Sequence, residues 1–165
     1  MSERWEELGR TGAVLYGAVG GIWVMILHAP SAEADMRAAG PALAKMRELE
    51  PKGFPSLTWV LSSAGLSMDG PARRAAAEVT DAYAQWNIAR ATLIEGKGFQ
   101  AATVRAIVSG IDMLSRAKSP TSVHGHLDES VAWCVAHRAQ GAVDRTTPPD
   151  VIVRALHAAR AGVGG

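Results

Sequence analysis

Hydrophobic and polar positions along the first third of the chain predict a β-hairpin. Gly20-Gly21 separates two apolar runs, residues 13–19 and 22–28, that are rich in β-branched and aromatic residues. Two glycines between such runs suit a tight turn, because glycine adopts positive φ angles without a Cβ clash. The uncharged stretch 12–30 also approaches the length of a membrane span, and a signal peptide is a further alternative. We favour the hairpin, since acidic residues spoil the basic leader that a signal peptide carries: Glu3, Glu6 and Glu7.

Helical and strand patterns alternate after this hairpin. Helical spacing of apolar residues predicts a helix that begins after Ser31 and is interrupted at Gly40-Pro41, because proline removes a backbone hydrogen bond. Two further helices are expected from Pro71 onward and over residues 99–116. Runs typical of strands lie between these helices, at residues 56–61, 88–95 and 121–127.

The end of the chain predicts two more helices. Asp128 and Asp150 precede apolar positions at helical spacing, and aspartate is a preferred N-cap residue. Because parallel strands need helical crossovers, the chain as a whole is predicted to be an α/β fold. We expect an N-terminal β-hairpin, then alternating helices and strands, in a mixed sheet of about five strands covered by helices.

Two residues interrupt the apolar pattern of these predicted elements. Arg90 is the single charged interior residue of the strand at 88–95, which indicates that one face of this strand lies near an edge or near solvent. Gly110 lies on the apolar side of the helix at 99–116, where glycine costs about 1 kcal/mol relative to alanine. We therefore expect another backbone to approach the helix closely at Gly110.

Composition narrows the class of protein. The 165 residues are 48% hydrophobic and carry a formal charge of +1, which favours one globular domain and argues against a nucleic-acid partner. The predicted division is an α/β domain over residues 1–140, followed at 141–165 by a polar linker and a C-terminal helix that packs on the domain. Cys134 is the only cysteine, so we expect a buried apolar side chain and a reducing, cytoplasmic location without a membrane partner.

Few residues have the spacing of a catalytic or cofactor site. His124 and His126 share one face of a predicted strand and are weak candidates for metal ligands, because a third ligand is hard to find. Gly96-Lys97-Gly98 lacks the spacing of a phosphate-binding loop. No cofactor is therefore expected. Ser62, Ser63 and Ser67 follow a strand, as nucleophiles often do, although no nucleophile-elbow motif surrounds them.

Four segments in the second half of the chain carry a family resemblance. Residues 94–99, 104–111, 119–123 and 127–133 read IEGKGF, VRAIVSGI, SPTSV and LDESVAW. Together they resemble bacterial SpoIIAA-like, STAS-related domains, closely over about a quarter of the chain and in element order over most of it. The resemblance implies a mixed sheet with helices and a non-enzymatic regulator that binds a protein partner or a small ligand.

The same resemblance implies a functional loop. In anti-sigma-factor antagonists of this superfamily, a serine at the head of the helix after the third strand is phosphorylated. Leu61 stands here where that motif has an aspartate. A phosphate on this loop would suit the amides of the helix that follows and its two arginines. The predicted partner-binding or phosphorylation loop comprises Ser62, Ser63, Ser67, Asp69, Arg73 and Arg74.

Three functions follow from these observations. The leading hypothesis is a regulatory or scaffolding module that binds a protein partner and forms a homodimer. The alternative is a carrier of a small apolar, lipid-like ligand in a pocket between the sheet and the helices. The third is a hydrolase or metal-binding enzyme that uses Ser62 or the pair of His124 and His126.

Overall fold

The computed structural model of the chain describes residues 4–65, 68–116 and 118–163. Within these residues, six strands form one sheet, in the same order as they follow along the chain. They are β1 (Glu6–Arg10), β2 (Val14–Val19), β3 (Ile22–Leu27), β4 (Phe54–Val60), β5 (Asn87–Ile94) and β6 (Thr121–His124). Strands β1 to β3 pair antiparallel, whereas β3 to β6 are parallel. The predicted α/β fold with a mixed sheet is confirmed.

The sheet has one strand more than the predicted number of about five. The additional strand, β1, lies at the edge of the sheet, and Leu8 is its buried residue. Glu7 and Arg10 form an ion pair of 2.7 Å on its exposed side. A short strand with one buried residue and several charges has no clear alternating pattern, which explains why the sequence did not predict it.

The opening hairpin is confirmed. Strands β2 and β3 pair along their whole length, and the turn between them is formed by Gly20 and Gly21, with φ of 59° and 75°. A side chain at Gly21 would also be obstructed, because its Cβ would lie 2.9 Å from the carbonyl oxygen of Asp144. Among the described residues, no helix has the length and apolar character needed to cross a membrane.

Helices cover both faces of the sheet. One face carries α1 (Glu33–Arg37), α2 (Ala39–Leu49), α3 (Gly70–Ala82) and α4 (Phe99–Leu114). The other face carries α5 (Leu127–Ala136) and α6 (Pro149–Ala161). Two hydrophobic cores result, one on each side of the strands. Ile152 and Leu156 of α6 are fully buried in the second core, together with Val131 and Cys134 of α5.

The helix predicted after Ser31 consists of two short helices, but the break lies at Ala38 and not at Gly40-Pro41. Pro41 falls in the first turn of α2, where an amide hydrogen would have no partner in the helix, so proline is tolerated there. The predicted cap at Ser31 is wrong. The N-cap residue is Ala32, whose amide donates to the carboxylate of Asp35 at 2.7 Å.

The two predicted aspartate caps are also shifted. His126 and Pro148 are the N-cap residues of α5 and α6, so Asp128 and Asp150 lie in the first turns of these helices. A carboxylate in the first turn still interacts favourably with the positive end of the helix dipole. The sequence therefore located both helix starts to within two residues while assigning the wrong residue to each cap.

A cluster of polar side chains, three of them buried and one half-buried, holds the segment between α5 and α6. The carboxylate of Glu50 accepts from the amides of Val143 and Asp144, at 2.7 and 2.8 Å. Arg138 donates to the carbonyl oxygens of Gly20, at 2.9 Å, and Thr147, also at 2.9 Å. Burial lowers the pKa of Arg138, which the charges of Asp144 and Glu50 partly oppose. We call Glu50, Arg138, Asp144 and Thr147 the Glu50 cluster; it ties the C-terminal segment to α2 and to the hairpin turn.

Candidate functional site

A cavity of about 180 Å³ lies between the sheet and the helices of the first face. Strands β3 to β6 form its floor, and the helices α1 to α4 supply its walls and roof. Most of the side chains around it are apolar, among them Met25, Met36, Leu43, Val79, Val104, Ile107, Val108 and Ile111. The cavity is on the opposite side of the sheet from α5, α6 and the second hydrophobic core.

The floor of the cavity changes from polar to apolar along the strands. Because parallel strands are in register, residues that face each other across them form rows. The row nearest the starts of the strands is Trp23, Ser56, Arg90 and Thr121. The next row is Met25, Thr58, Thr92 and Val123, and the last contains Leu27 and Val60. One end of the floor therefore carries hydrogen-bonding groups and a charge, whereas the other is hydrocarbon.

Helix α4 forms the roof because it packs chiefly against α3 and stands above the sheet. Ile107, Val108 and Ile111 line the cavity and are half-buried. A Cβ placed on Gly110 would meet no atom within 4 Å, so the predicted close approach of a backbone there is wrong. The end of α4 is held to α3 by Asp81, whose Oδ1 accepts from Ser115 Oγ and the Arg116 amide at 2.6 and 2.7 Å.

Two buried polar atoms of lining residues have no hydrogen-bond partner among the described residues: Trp23 Nε1 and Asn87 Oδ1. Trp23 is 5% exposed and Asn87 is 8% exposed, so bulk water does not reach these groups freely. Leaving a buried donor or acceptor without a partner costs about 1–3 kcal/mol. Each of the two atoms exposes less than 1 Å² of surface, so a molecule in the cavity reaches either group only if neighbouring side chains move.

The cavity also contains an ion pair between a strand and the roof. Arg90 Nη1 lies 3.1 Å from Asp112 Oδ1 of α4, and Arg90 Nε donates to Ser119 Oγ at 3.2 Å. The Arg90 side chain is 15% exposed and that of Asp112 is 36% exposed. Strand β5 has neighbours on both sides and lies next to the edge strand β6, so Arg90 is near an edge of the sheet, as one of the two interpretations of the sequence has it. The cavity is the structural reason for a charge in this strand.

The predicted loop serines lie at the ends of β4 and β5, away from this ion pair. Ser62 and Ser63 belong to a short 3₁₀ turn and are exposed. Ser62 Oγ donates to Glu95 Oε1 at 3.3 Å. Glu95 Oε1 also accepts from Arg160 Nη2 at 2.7 Å. Ser67 lies outside the described residues. A phosphate on Ser62 would meet the carboxylate of Glu95 at close range.

The remaining residues of the predicted loop belong to the start of α3. Asp69 is the N-cap residue, and its Oδ1 accepts from the Ala72 amide at 2.8 Å. The Asp69 carboxylate therefore already occupies the helix terminus that was proposed for a phosphate. Arg74 is exposed, whereas the Nε atom of Arg73 is buried without a partner in the described part of the chain.

The two histidines that are weak candidates for metal ligands have different surroundings in the structure. The ring of His124 packs near Trp133, with 6.2 Å between centroids, and His126 is the exposed N-cap of α5. In the residues that the structure describes, no three His, Cys, Asp or Glu side chains are grouped as metal ligands. Cys134 is fully buried, as predicted, and burial raises the pKa of its thiol to about 12.

Comparisons of the chain with protein-family models, with curated proteins and with solved structures found no match. The resemblance to SpoIIAA-like domains stays a prediction.

Proposed function

We propose that this protein binds a small, largely apolar molecule in the cavity between its sheet and α4. This is the carrier function that the sequence offered as its alternative. The observation that supports it best is the cavity of about 180 Å³, which has a mostly apolar lining and the ion pair of Arg90 and Asp112 at one end.

The size and lining of the cavity define the ligand. An engineered apolar cavity of about 150 Å³ in another protein binds benzene, so the present volume suits a molecule with one ring or a short chain. Binding sites for small molecules are typically apolar with a few polar groups that fix orientation. The rows of the floor provide both features, since Ser56 and Arg90 lie at one end and Leu27 and Val60 at the other.

The proposed role is binding and not catalysis. The charged side chains that line the cavity, Arg90 and Asp112, are paired with each other at 3.1 Å, an arrangement suited to holding a polar group. The regulatory module with a protein partner, its homodimer and its phosphorylated serine depend on the family resemblance and stay predictions.

Substitutions on α4 test the proposal. Val108→Phe places a phenyl ring in the cavity, and Ala106→Phe is its matched control because Ala106 is exposed on the same helix. The probes are toluene and benzamide, followed by ¹H–¹⁵N NMR. We expect both to bind the parent and Ala106→Phe and to shift the Trp23 indole resonance, which a Trp23→Phe spectrum assigns.

Binding should be lost in Val108→Phe if the cavity is the site. The proposal is wrong if the parent binds neither probe. It is equally wrong if Val108→Phe, shown by its dispersed spectrum to be folded, binds both probes as tightly as Ala106→Phe does.

A further inference from the structure

We infer that the ligand is a small apolar monocarboxylic acid whose carboxylate binds Arg90 and displaces Asp112. This inference rests on the proposed function and specifies its ligand class. It commits to a charged group at the polar end of the cavity floor and to hydrocarbon at the other end.

Arg90 is placed as a receptor for a carboxylate. It lies on β5, inside the sheet, with its side chain 15% exposed and its guanidinium between the floor and α4. The guanidinium is a planar fork of N–H donors that matches the two oxygens of a carboxylate. Its contacts with Asp112 and Ser119 use Nη1 and Nε, and Nη2 provides further donors for the second oxygen of a ligand.

Neighbouring groups in the first floor row favour an acceptor on the ligand. Trp23 and Ser56 occupy the same row as Arg90, and the indole Nε1 of Trp23 is a donor without a partner among the described residues. Indole can only donate a hydrogen bond, so it requires an oxygen or another acceptor. A carboxylate bound at Arg90 would bring acceptor oxygens to this end of the cavity.

Asp112 already places a carboxylate against the guanidinium of Arg90. It reaches Arg90 from the roof and is more exposed than its partner, 36% against 15%. Because Asp112 is partly exposed, water can solvate its carboxylate once an incoming carboxylate has taken its place at Arg90. Asp112 therefore acts as an internal competitor that fills the receptor while the ligand is absent.

The apolar end of the floor determines the remainder of the ligand. Beyond Thr58 and Thr92 the floor ends in Leu27 and Val60, with Met36 of α1 beside them. The volume of about 180 Å³ suits a single ring or a short alkyl chain attached to the carboxylate. Benzoate and hexanoate are therefore the probes, and benzamide and hexanamide are their neutral counterparts of the same shape.

The test compares affinities by NMR titration in the parent, Arg90→Gln, Arg105→Gln and Asp112→Asn. Arg105 is exposed on α4, so Arg105→Gln makes the same change of net charge outside the cavity. We expect each acid to bind the parent at least about tenfold more tightly than its amide, since hydrogen bonds to charged groups are the stronger class. Arg90→Gln should weaken acid binding by at least about tenfold and leave amide binding within about twofold.

Asp112→Asn should strengthen acid binding severalfold, because it removes the competing carboxylate, and should leave amide binding unchanged. Arg105→Gln should change neither. The inference is overturned if the acids bind the parent no more tightly than the amides, or if Asp112→Asn leaves acid affinity unchanged. It is also overturned if Arg90→Gln weakens acid and amide equally, as a purely structural role for Arg90 would.

The two proposals fail in different ways. Binding of toluene and benzamide without any preference for acids would refute the ligand class and leave the binding function standing. Absence of binding by every probe would refute both. If Arg90→Gln does not fold, Asp112→Asn decides alone, because it keeps the size and shape of a partly exposed side chain.

Discussion

Removal of the Glu50 carboxylate should destabilise the whole protein, although Glu50 is remote from the cavity. Glu50 is 3% exposed, and its two oxygens accept from the amides of Val143 and Asp144 at 2.7 and 2.8 Å. Glu50→Ala leaves both amides without these acceptors. Hydrogen bonds to charged groups contribute about 1.5–3 kcal/mol each, so the two together predict a loss of about 3–6 kcal/mol.

Urea unfolding followed by tryptophan fluorescence measures this loss. Glu48→Ala is the matched control, because Glu48 is exposed in the last turn of α2, two residues before Glu50, and it should change the free energy of unfolding by less than about 0.5 kcal/mol. Glu50→Gln keeps one acceptor oxygen and should fall between the two. The reasoning is refuted if Glu50→Ala is no less stable than Glu48→Ala. It is also refuted if amide exchange at Val143 and Asp144 does not accelerate.

Three further predictions concern Gly21 and Cys134. Gly21→Ala should lower the free energy of unfolding by at least about 1–2 kcal/mol, because φ is 75° and the new Cβ meets the carbonyl oxygen of Asp144. Gly125→Ala is the control in the same unfolding assay, because the space around its Cβ is open. Cys134 should resist iodoacetamide at pH 8 in the folded protein and react on unfolding, because burial raises the pKa of its thiol to about 12. Rapid labelling of the native protein would contradict this prediction. Since the unfolded thiol titrates near 9, the Cys134 contribution to unfolding free energy should fall from about pH 9 to pH 12.

The elements of the fold were predictable where the apolar pattern was long. The hairpin turn at Gly20-Gly21, strand β4 and helix α3 each have a strong local signal, and the structure confirms them. Strand β1 was missed because burial of Leu8 alone gives no alternation. The caps at Asp128 and Asp150 were misassigned because aspartate is favoured both at the N-cap and in the first turn, so composition does not separate the two positions.

The cavity was harder to predict from the sequence than the fold was. Its signals are polar residues at every second position of otherwise apolar strands, namely Ser56 and Thr58 in β4 and Arg90 and Thr92 in β5. A charge at Arg90 by itself indicates a strand face near an edge or near solvent and does not indicate a cavity. Which positions of two strands form one row depends on their register, and Asp112 of α4 joins that row through the tertiary fold alone. A local pattern does not contain this information.

The two faces of the sheet have different roles: one is close-packed and stabilises the fold, and the other contains the cavity that we propose binds a ligand. On one face, Ile152 and Leu156 are fully buried, and the Glu50 cluster ties the segment between α5 and α6 to the end of α2. On the other face, α4 stands above a cavity, and the atoms Trp23 Nε1 and Asn87 Oδ1 have no partner in the described chain. Unsatisfied groups and empty volume both lower stability, so the close-packed face has to hold the sheet in place while the cavity stays open. A ligand that fills the cavity should therefore raise the melting temperature, and it should do so by a similar amount in Glu50→Gln, because Glu50 does not line the cavity and its carboxylate accepts from Val143 and Asp144.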